Sequence, residues 1–464
     1  MDDFLLDLEE TIDFHRELAE IAEHSPHRLI GALQQAKSMT PSEEDMDGKQ
    51  VPDVALTALL LNQKDELLLQ NFATTLHDMV ETVLDYVLAS SERIARYFPD
   101  HQRIAPFLRK TVGSDHWQIV SRYDVILTPL GEIKLLELNT GCPGGFMIAK
   151  DRVSPTKTAF ELLEPGTTSS WTSVNMQPSV IVDTVLDLEK KAGMEPGLIA
   201  VMNDENQIRF ELDQMVSEFR QRGRDALVID ARELTYENQT LSFRGQRISA
   251  SYNKFRVSTP DSQNHCWKRG FEERYEAFLQ AQQEGVFVSV NNLCGMSIAE
   301  DKGMLALFFE PEIRELFSHT ELSLVDQCIP WTGRLENREA TIDGRTENLL
   351  PFLRANKDRF VLKPANEGRG FGVLIGKLLS QEEWELAIEP NPEVPYVIQE
   401  FVESVSLPIG NEKDGSFDMH STYLTLALAI AQGKPMGLIS RVSQNAVTNV
   451  AQQGFIQAIF TTSS

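Results

Sequence analysis

The sequence predicts an α/β protein of α+β character, in which loops at strand ends carry the chemistry. Three observations predict it. From Gly197 onward strand and helix patterns alternate: residues 198–201 are an apolar strand, 207–222 an amphipathic helix bearing Phe210, Met215 and Phe219, and 226–230 the next strand. Alternation of this kind implies a parallel sheet. Residues 360–376 read as strand, lysine, glycine loop and strand, and residues 121–146 as a hairpin carrying acids.

The bulk properties bound the function. The chain has 464 residues, two to four packing units at ~100–200 residues each. Hydrophobic residues make up 42% and charged residues 24%, the proportions of an ordinary soluble globular protein. A net charge of −26 argues against a nucleic-acid partner, whose footprint is basic, and against anionic membrane surfaces. A phosphate ligand would therefore need a local basic patch. Cys142, Cys266, Cys294 and Cys328 show no C-x-x-C spacing and read as reduced thiols, and the histidines show no H-E-x-x-H spacing. The acidic start Met1-Asp2-Asp3 is unlike a signal or transit peptide, and no apolar run approaches the ~18 residues of a membrane span. A cytoplasmic location is expected.

Taken in order, residues 1–120 read as mostly helical. Leu5, Leu8, Ile12, Leu18 and Ile21 recur at helical spacing, a Pro-, Ser- and acid-rich loop follows near 40–53, and residues 54–97 carry long helical stripes that include Leu59–Leu61, Met79, Val83 and Val87. Such stripes are core-forming. The segment is expected to be a helical cap or dimerisation unit, which is compatible with a homodimer.

In 121–146, residues 122–127 alternate as a strand, Pro129 to Glu132 turn, and 133–138 return into Asn139-Thr140-Gly141-Cys142-Pro143-Gly144-Gly145. A hairpin can bring Asp124 near Glu137 and Asn139, and the last two, being two apart, share one face. Two carboxylates and an amide oxygen suit Mg²⁺, which takes hard oxygen ligands. The same acids also fit a solvated hairpin face.

A helix is expected at 180–191. Residues 248–256 form a strand that ends in Asn253, Lys254 and Arg256, and 287–292 another with a polar exit. Ser297 is placed to cap a following helix, with Glu300 in the capping-box position and Lys302 at its start. Residues 332–348 read as an insertion or mobile loop.

The 360–376 hairpin has Lys363 at a strand end, then Asn366, Gly368, Arg369, Gly370 and Gly372. Glycine lets backbone approach an anion, and successive N–H groups can form an anion-binding concavity. It is neither a Walker loop nor a Rossmann fingerprint, because no helix follows. Another apolar strand ends in Gln399-Glu400-Phe401-Val402. Residues 422–431 and 436–440 form a last hairpin about the 433–435 turn, with Arg441 and Asn449 beyond it.

These motifs resemble the ATP-grasp superfamily. There, a strand lysine and a glycine-rich loop close over a triphosphate, and a later V-I-Q-E-F-V-like strand lines the adenine pocket. R-x-D, a short hairpin, E-x-N and a Pro/Gly loop placed upstream of the glycine loop resemble its circularly permuted, glutathionylspermidine synthase-like branch. The resemblance covers roughly residues 120–460 in architecture. It implies a circularly permuted ATP-grasp fold with a Rossmann-like pre-ATP-grasp domain and a helical N-terminal region. Its divisions would be 1–120 (helical), 121–195 (metal-binding hairpin), 196–295 (pre-ATP-grasp) and 296–464 (nucleotide-binding).

The resemblance also implies ATP and Mg²⁺. Asp124, Glu137 and Asn139 would hold the metal. Lys302, Lys363, Asn366, Gly368, Arg369, Gly370, Gly372, Gln399, Glu400, Phe401, Val402 and Asn449 would bind the nucleotide. Arg122 and Arg441 would be catalytic, neutralising the transferred group, and Asn253, Lys254 and Arg256 would face an acceptor. The expected reaction is ATP-dependent ligation of a small-molecule carboxylate and amine through an acyl-phosphate. The alternatives are loading of an amino acid onto a carrier-protein thiol, a small-molecule kinase, and a non-catalytic nucleotide-binding regulator. The sequence does not name the carboxylate or the amine.

Overall fold

The computed structural model describes residues 4–40, 54–141, 143–203, 209–255, 271–366, 370, 372–391, 394–413, 416–445 and 454–462. Gly368, Arg369, Asn449, Arg256, Cys142 and Cys266 lie outside the described residues.

The largest sheet has eight strands. Its path runs Ala58–Leu61, Phe455–Thr461, Lys434–Ser443, Ser416–Ala431, Val120–Leu127, Ile133–Asn139. Ser416–Ala431 is long because two partners share it: Ser406–Lys413 pairs with its first half and Val120–Leu127 with its second. Its alternation divides two cores. Leu424, Leu426, Leu428 and Ile430 pack with the long helix Gln63–Leu88, whereas Ala427, Ala429 and Ala431 pack on the opposite side.

The N-terminal region is not helical throughout. Residues 58–61, which sequence spacing assigns to a helical stripe, form an edge strand parallel to Phe455–Thr461. Leu59 and Leu61 enter one core and Ala58 and Leu60 another, so the period is two, not 3.6. Asn62 then caps Gln63–Leu88, accepting the Asp65 N–H at 2.9 Å. Glu9–His24 and Pro26–Ser38 cover this end of the sheet.

A second sheet has six strands: four are parallel, in the order Ala226–Asp230, Leu198–Asn203, Gln246–Asn253, Val288–Val290, while Thr240–Phe243 joins Gln246–Asn253 antiparallel and Thr235–Glu237 joins Thr240–Phe243 antiparallel. Ser179–Lys191 and Arg209–Gln221 pack on it through Leu188, Met215 and Phe219, in the same core that receives Ala427 and Ala429 of the large sheet. The two sheets thus share one hydrophobic layer.

The third sheet is antiparallel: Thr332–Arg334, Tyr396–Glu400, Phe360–Pro364, Leu374–Ile375. Trp331, Phe360, Leu362, Trp384 and Ile398 fill its core. Residues 332–348, read from sequence as an insertion or mobile loop, supply one strand of this sheet and the hairpin Glu339–Ile342/Arg345–Asn348. The cap expected at Ser297 is also absent. Ser297 Oγ donates to the Leu293 carbonyl at 2.5 Å, and Glu300 accepts the Gly141 N–H at 2.6 Å. The helix starts later, at Gly303–Leu307, where Asp301 accepts the Gly303 N–H at 2.6 Å. Among the described residues no helix is long and apolar enough to cross a membrane.

Candidate active site

The hairpin Val120–Leu127/Ile133–Asn139 sets Arg122 opposite Asn139 and Asp124 opposite Glu137, with a bulge after Asp124. Paired residues of neighbouring antiparallel strands face the same way. The partners of Arg122 and Asp124 on the next strand are Ala429 and Ala427. These small side chains leave the space in which the polar groups meet. Asp124 is buried, and its two oxygens accept from Arg122 Nε at 2.8 Å and Nη2 at 2.9 Å. Arg441, two strands away on Lys434–Ser443, also donates to Asp124 Oδ2. Arg122 Nη1 donates to the Gly144 carbonyl at 2.6 Å, which ties the Pro/Gly loop to the site.

Glu137 and Asn139 stand beside this pair. Asn139 Nδ2 donates to Glu137 Oε1 at 3.3 Å, and Lys302 Nζ lies 3.7 Å from Glu137 Oε2. Lys363 reaches across from the third sheet, donating to the Leu136 carbonyl at 3.3 Å and to Gln399 Oε1. Gln399 Nε2 donates to Thr332 Oγ1 at 3.0 Å, which fixes its amide orientation. Burial pushes the Glu137 carboxyl up, but Lys302, Lys363, Arg122 and Arg441 outweigh it and hold it down at about 2. Burial brings the Lys363 ammonium down to about 8, with Glu137 opposing and Lys302 adding to the shift.

Lys302 is positioned by residues that no sequence motif marked. Its N–H donates to the Ala365 carbonyl at 2.9 Å, joining it to the start of the glycine loop. The preceding Asp301 is buried between His101 Nε2 at 2.9 Å and Arg334 at 3.7 Å. Burial raises the Asp301 carboxyl, and Arg334 and His101 bring it below the usual range. His101 and Arg334 come from distant segments, so spacing carries no signal for them.

Gly370 and Gly372 both have φ of +70°. A Cβ on Gly372 would stand 2.8 Å from Pro364 Cγ. The buried Nδ2 of Asn366 and Nε of Arg441 have no hydrogen-bond partner among the described residues. The Glu400 carboxylate is engaged by Arg359 at 2.6 Å, the Phe401 N–H donates to the Arg359 carbonyl at 2.7 Å, and Lys377 Nζ lies 3.9 Å over the Phe401 ring. Val402 follows, half-buried.

The strand end at Asn253 and Lys254 is buried, not solvated. Asn253 donates to Ser289 Oγ at 2.8 Å and to the Asn291 carbonyl at 2.9 Å. Lys254 pairs with Glu211 at 3.0 Å and donates to the Pro143 carbonyl at 2.7 Å. Lys254, through the Pro143 carbonyl, and Arg122, through the Gly144 carbonyl, hold the 143–145 loop between them.

Four cationic side chains therefore surround Glu137, with Asp124 as the second carboxylate. This excess of positive charge, two orphaned donors and positive-φ glycines fit an anionic, phosphate-bearing ligand. Glu137 and Asn139 are hard oxygen donors of the kind Mg²⁺ takes; both Asp124 oxygens are engaged by arginines. Fold and site together define a protein in which a large sheet and a small sheet face one cationic cluster suited to an anionic ligand.

The comparisons sharpen this class. No family model matches the chain. Over 131 residues it is 30% identical to the ATP-grasp enzyme ankG of Aspergillus thermomutatus, which covers 25% of this chain and 26% of that protein. The match thus spans about a quarter of that relative's length. The fold is similar to that of the glutathione synthetase-like effector GSS30 of Globodera pallida in apoform, with a TM-score of 0.58 at 11% identity over 95% of this chain and 97% of that one. The ATP-grasp ligase PsnB complexed with minimal precursor aligns with a TM-score of 0.32 at 14% identity, over 57% of this chain and 90% of that one. Over those 131 residues the chain is similar to an ATP-grasp enzyme, and over nearly its whole length its fold is similar to that of GSS30.

Proposed function

We propose that this chain is an ATP-dependent ligase that joins a carboxylate to an amine and releases ADP and phosphate. The observation that carries the reading is the cluster of Lys302, Lys363, Arg122 and Arg441 around Glu137 in a chain of net charge −26. The stretch shared with an ATP-grasp enzyme supports it. Glu137 and Asn139 would hold Mg²⁺, with Asp124 adjoining. Bound there, the ion supplies charge neutralisation among phosphate oxygens.

The chain's own residues bind and orient. Lys302 and Lys363 hold phosphate oxygens, the Asn366 amide donates to one, and the Gly370–Gly372 backbone closes over them, with Gly368, Arg369 and Asn449 assigned to the same role. Gln399 orients Lys363, and Glu400, Phe401 and Val402 border the base. A substrate carboxylate oxygen bonds to the γ-phosphorus, the bond from that phosphorus to its bridging oxygen breaks, and ADP leaves. The amine then attacks the acyl carbon, phosphate departs, and the amine loses a proton. Arg122 and Arg441 stabilise charge on the transferred group. No protein nucleophile is required, because positioning and electrostatics carry phosphoryl transfer.

The same proposal takes the fold as circularly permuted, with the divisions 1–120, 121–195, 196–295 and 296–464. Supporting it, the acidic hairpin that precedes the glycine loop in sequence lies beside Ser416–Ala431 in one sheet. The six-stranded sheet with its four parallel strands is its pre-ATP-grasp part. The proposal also takes free small-molecule substrates, Mg²⁺ and ATP as cofactors, and a cytoplasmic setting. Sedimentation of the purified chain distinguishes a homodimer from a monomer.

The test is product analysis with ATP, Mg²⁺ and pooled amino acids and amines. ADP and phosphate appearing only with a particular pair would establish the ligase. AMP and pyrophosphate would overturn it. ATP use that requires a carrier protein would replace the amine with a carrier thiol, and bound ATP without turnover would leave a regulator.

A further inference from the structure

Away from the ATP site, three ligating side chains converge. His77 and Glu81 are four residues apart on one face of Gln63–Leu88, and His116 comes from the loop before Val120–Leu127. One ligand atom from each lies within 4.8 Å of the others. His77 Nε2 is 3.3 Å from His116 Nδ1, and His116 Nδ1 is 4.0 Å from Glu81 Oε2. Zn²⁺ bonds imidazole nitrogen at about 2.0–2.1 Å, which places tetrahedral ligand pairs about 3.3–3.4 Å apart. The histidine pair already has that spacing.

The surrounding hydrogen bonds set the protonation of His77. Glu81 only accepts, so the Gln118 side chain turns its Nε2 toward Glu81 Oε1, at 3.2 Å. Gln118 Oε1 then faces Tyr123, whose hydroxyl donates to it at 3.0 Å. The Tyr123 oxygen is left to accept from His77 Nδ1, at 3.2 Å. With the proton on Nδ1, the Nε2 lone pair points at His116. Outer partners of this kind fix tautomer and ring orientation in metal sites.

The remaining walls fit as well. Trp117 and Gln118 donate backbone N–H groups to Glu81 at 2.8 and 2.9 Å, which pins the loop bearing His116. Gly433, at φ +74°, roofs the pair: a Cβ there would stand 3.4 Å from the His77 ring and 3.6 Å from that of His116. His77 is buried and the His116 side chain is 34% exposed, so a cation has a way in.

We propose that His77, Glu81 and His116 bind one divalent d-block cation of the Zn²⁺ class. It clips the long helix to the 111–119 loop beneath the Gly433 turn and keeps a coordination position for water. Two imidazoles and one carboxylate suit Zn²⁺ and exclude a dedicated Mg²⁺ site, which would be all oxygen. This site shares no ligand with the ATP cluster and does not depend on the proposed ligase activity.

The test is equilibrium dialysis of the full chain against ZnCl₂, followed by metal analysis and by a Co²⁺ titration read in the visible range. Wild type and Glu137→Gln should each retain one equivalent of Zn²⁺ and show the intense absorption of tetrahedral Co²⁺. His116→Ala and Glu81→Gln should bind at least about 10-fold more weakly. His116→Ala removes a partly exposed loop side chain, and circular dichroism confirms that the variant is folded. Unchanged Zn²⁺ affinity in folded His116→Ala, no retention by wild type, or loss that tracks Glu137→Gln would overturn the proposal.

Discussion

At Glu137, burial and neighbouring charge act in opposite directions, and charge wins. Its folded value of about 2 lies below the unfolded carboxylate value of about 4.3. The stability it contributes is therefore present above about pH 4.3 and lost as pH falls toward 2. Melting curves of wild type and Glu137→Gln should differ by a constant amount above about pH 5, approach one another as pH falls, and converge only near pH 2. The same variant separates metal from phosphate binding. It should bind Mg²⁺-free ATP at least as tightly as wild type, because a negative charge is removed, yet lose about 100-fold or more in Mg²⁺-dependent turnover. Lys363 carries the opposite sign. Being charged below about pH 8, it should support ATP binding at pH 7 and lose this as pH rises to 9. Lys363→Met should weaken Mg²⁺-free ATP binding roughly 10-fold or more, on the scale of about 1.5–3 kcal/mol for a charged hydrogen bond, and flatten that pH profile in calorimetric titrations.

Among elements, the Lys254–Glu211 pair makes the sharpest prediction. It is buried, and it fastens Arg209–Gln221 to the loop that Arg122 holds. Lys254→Met should cost about 3–5 kcal/mol by leaving Glu211 without its cation, and Lys254→Met/Glu211→Leu should recover most of that loss in denaturant titrations. The element level also shows what a sequence can disclose. Both hairpins of the site were legible, because alternation and Gly/Pro punctuation are local signals. Glu137 and Lys363 lie on those hairpins, and Lys302, from the segment before Gly303–Leu307, comes beside Glu137. The strand Ala58–Leu61 was not, because a run of four buried residues satisfies either period and its partner lies at the far end of the chain. Ser297 was misassigned because Asp301, not Ser297, receives the first helical N–H. The roles of His101 and Arg334 were invisible because they depend on burial beside Asp301. The buried state of Lys254 was hidden because its partner Glu211 sits on a different element.

For the whole molecule, the large sheet makes the N-terminal segment structural. Removing residues 1–62 would strip Ala58–Leu61 from Phe455–Thr461 and leave an apolar edge exposed, a recognised route to aggregation. The truncated protein should lose cooperative thermal unfolding and elute as aggregate on size exclusion. A soluble, cooperatively melting form would instead show the segment to be a detachable cap.

The same sheet closes over great distances in sequence: Arg441 meets Asp124 across 317 residues, and Thr462 meets Glu10 across 452. A ribosome adds roughly 5–20 residues per second. The Asp124 hairpin therefore waits about 15–60 s, at that rate, before its neighbouring strand emerges. Until then its apolar faces have no sheet to join, and a nascent chain has Asp124 and Arg122 without Arg441. Folding of this protein is in that respect late, and the cluster around Asp124 is completed only once Ser416–Ala431 and Lys434–Ser443 have been made.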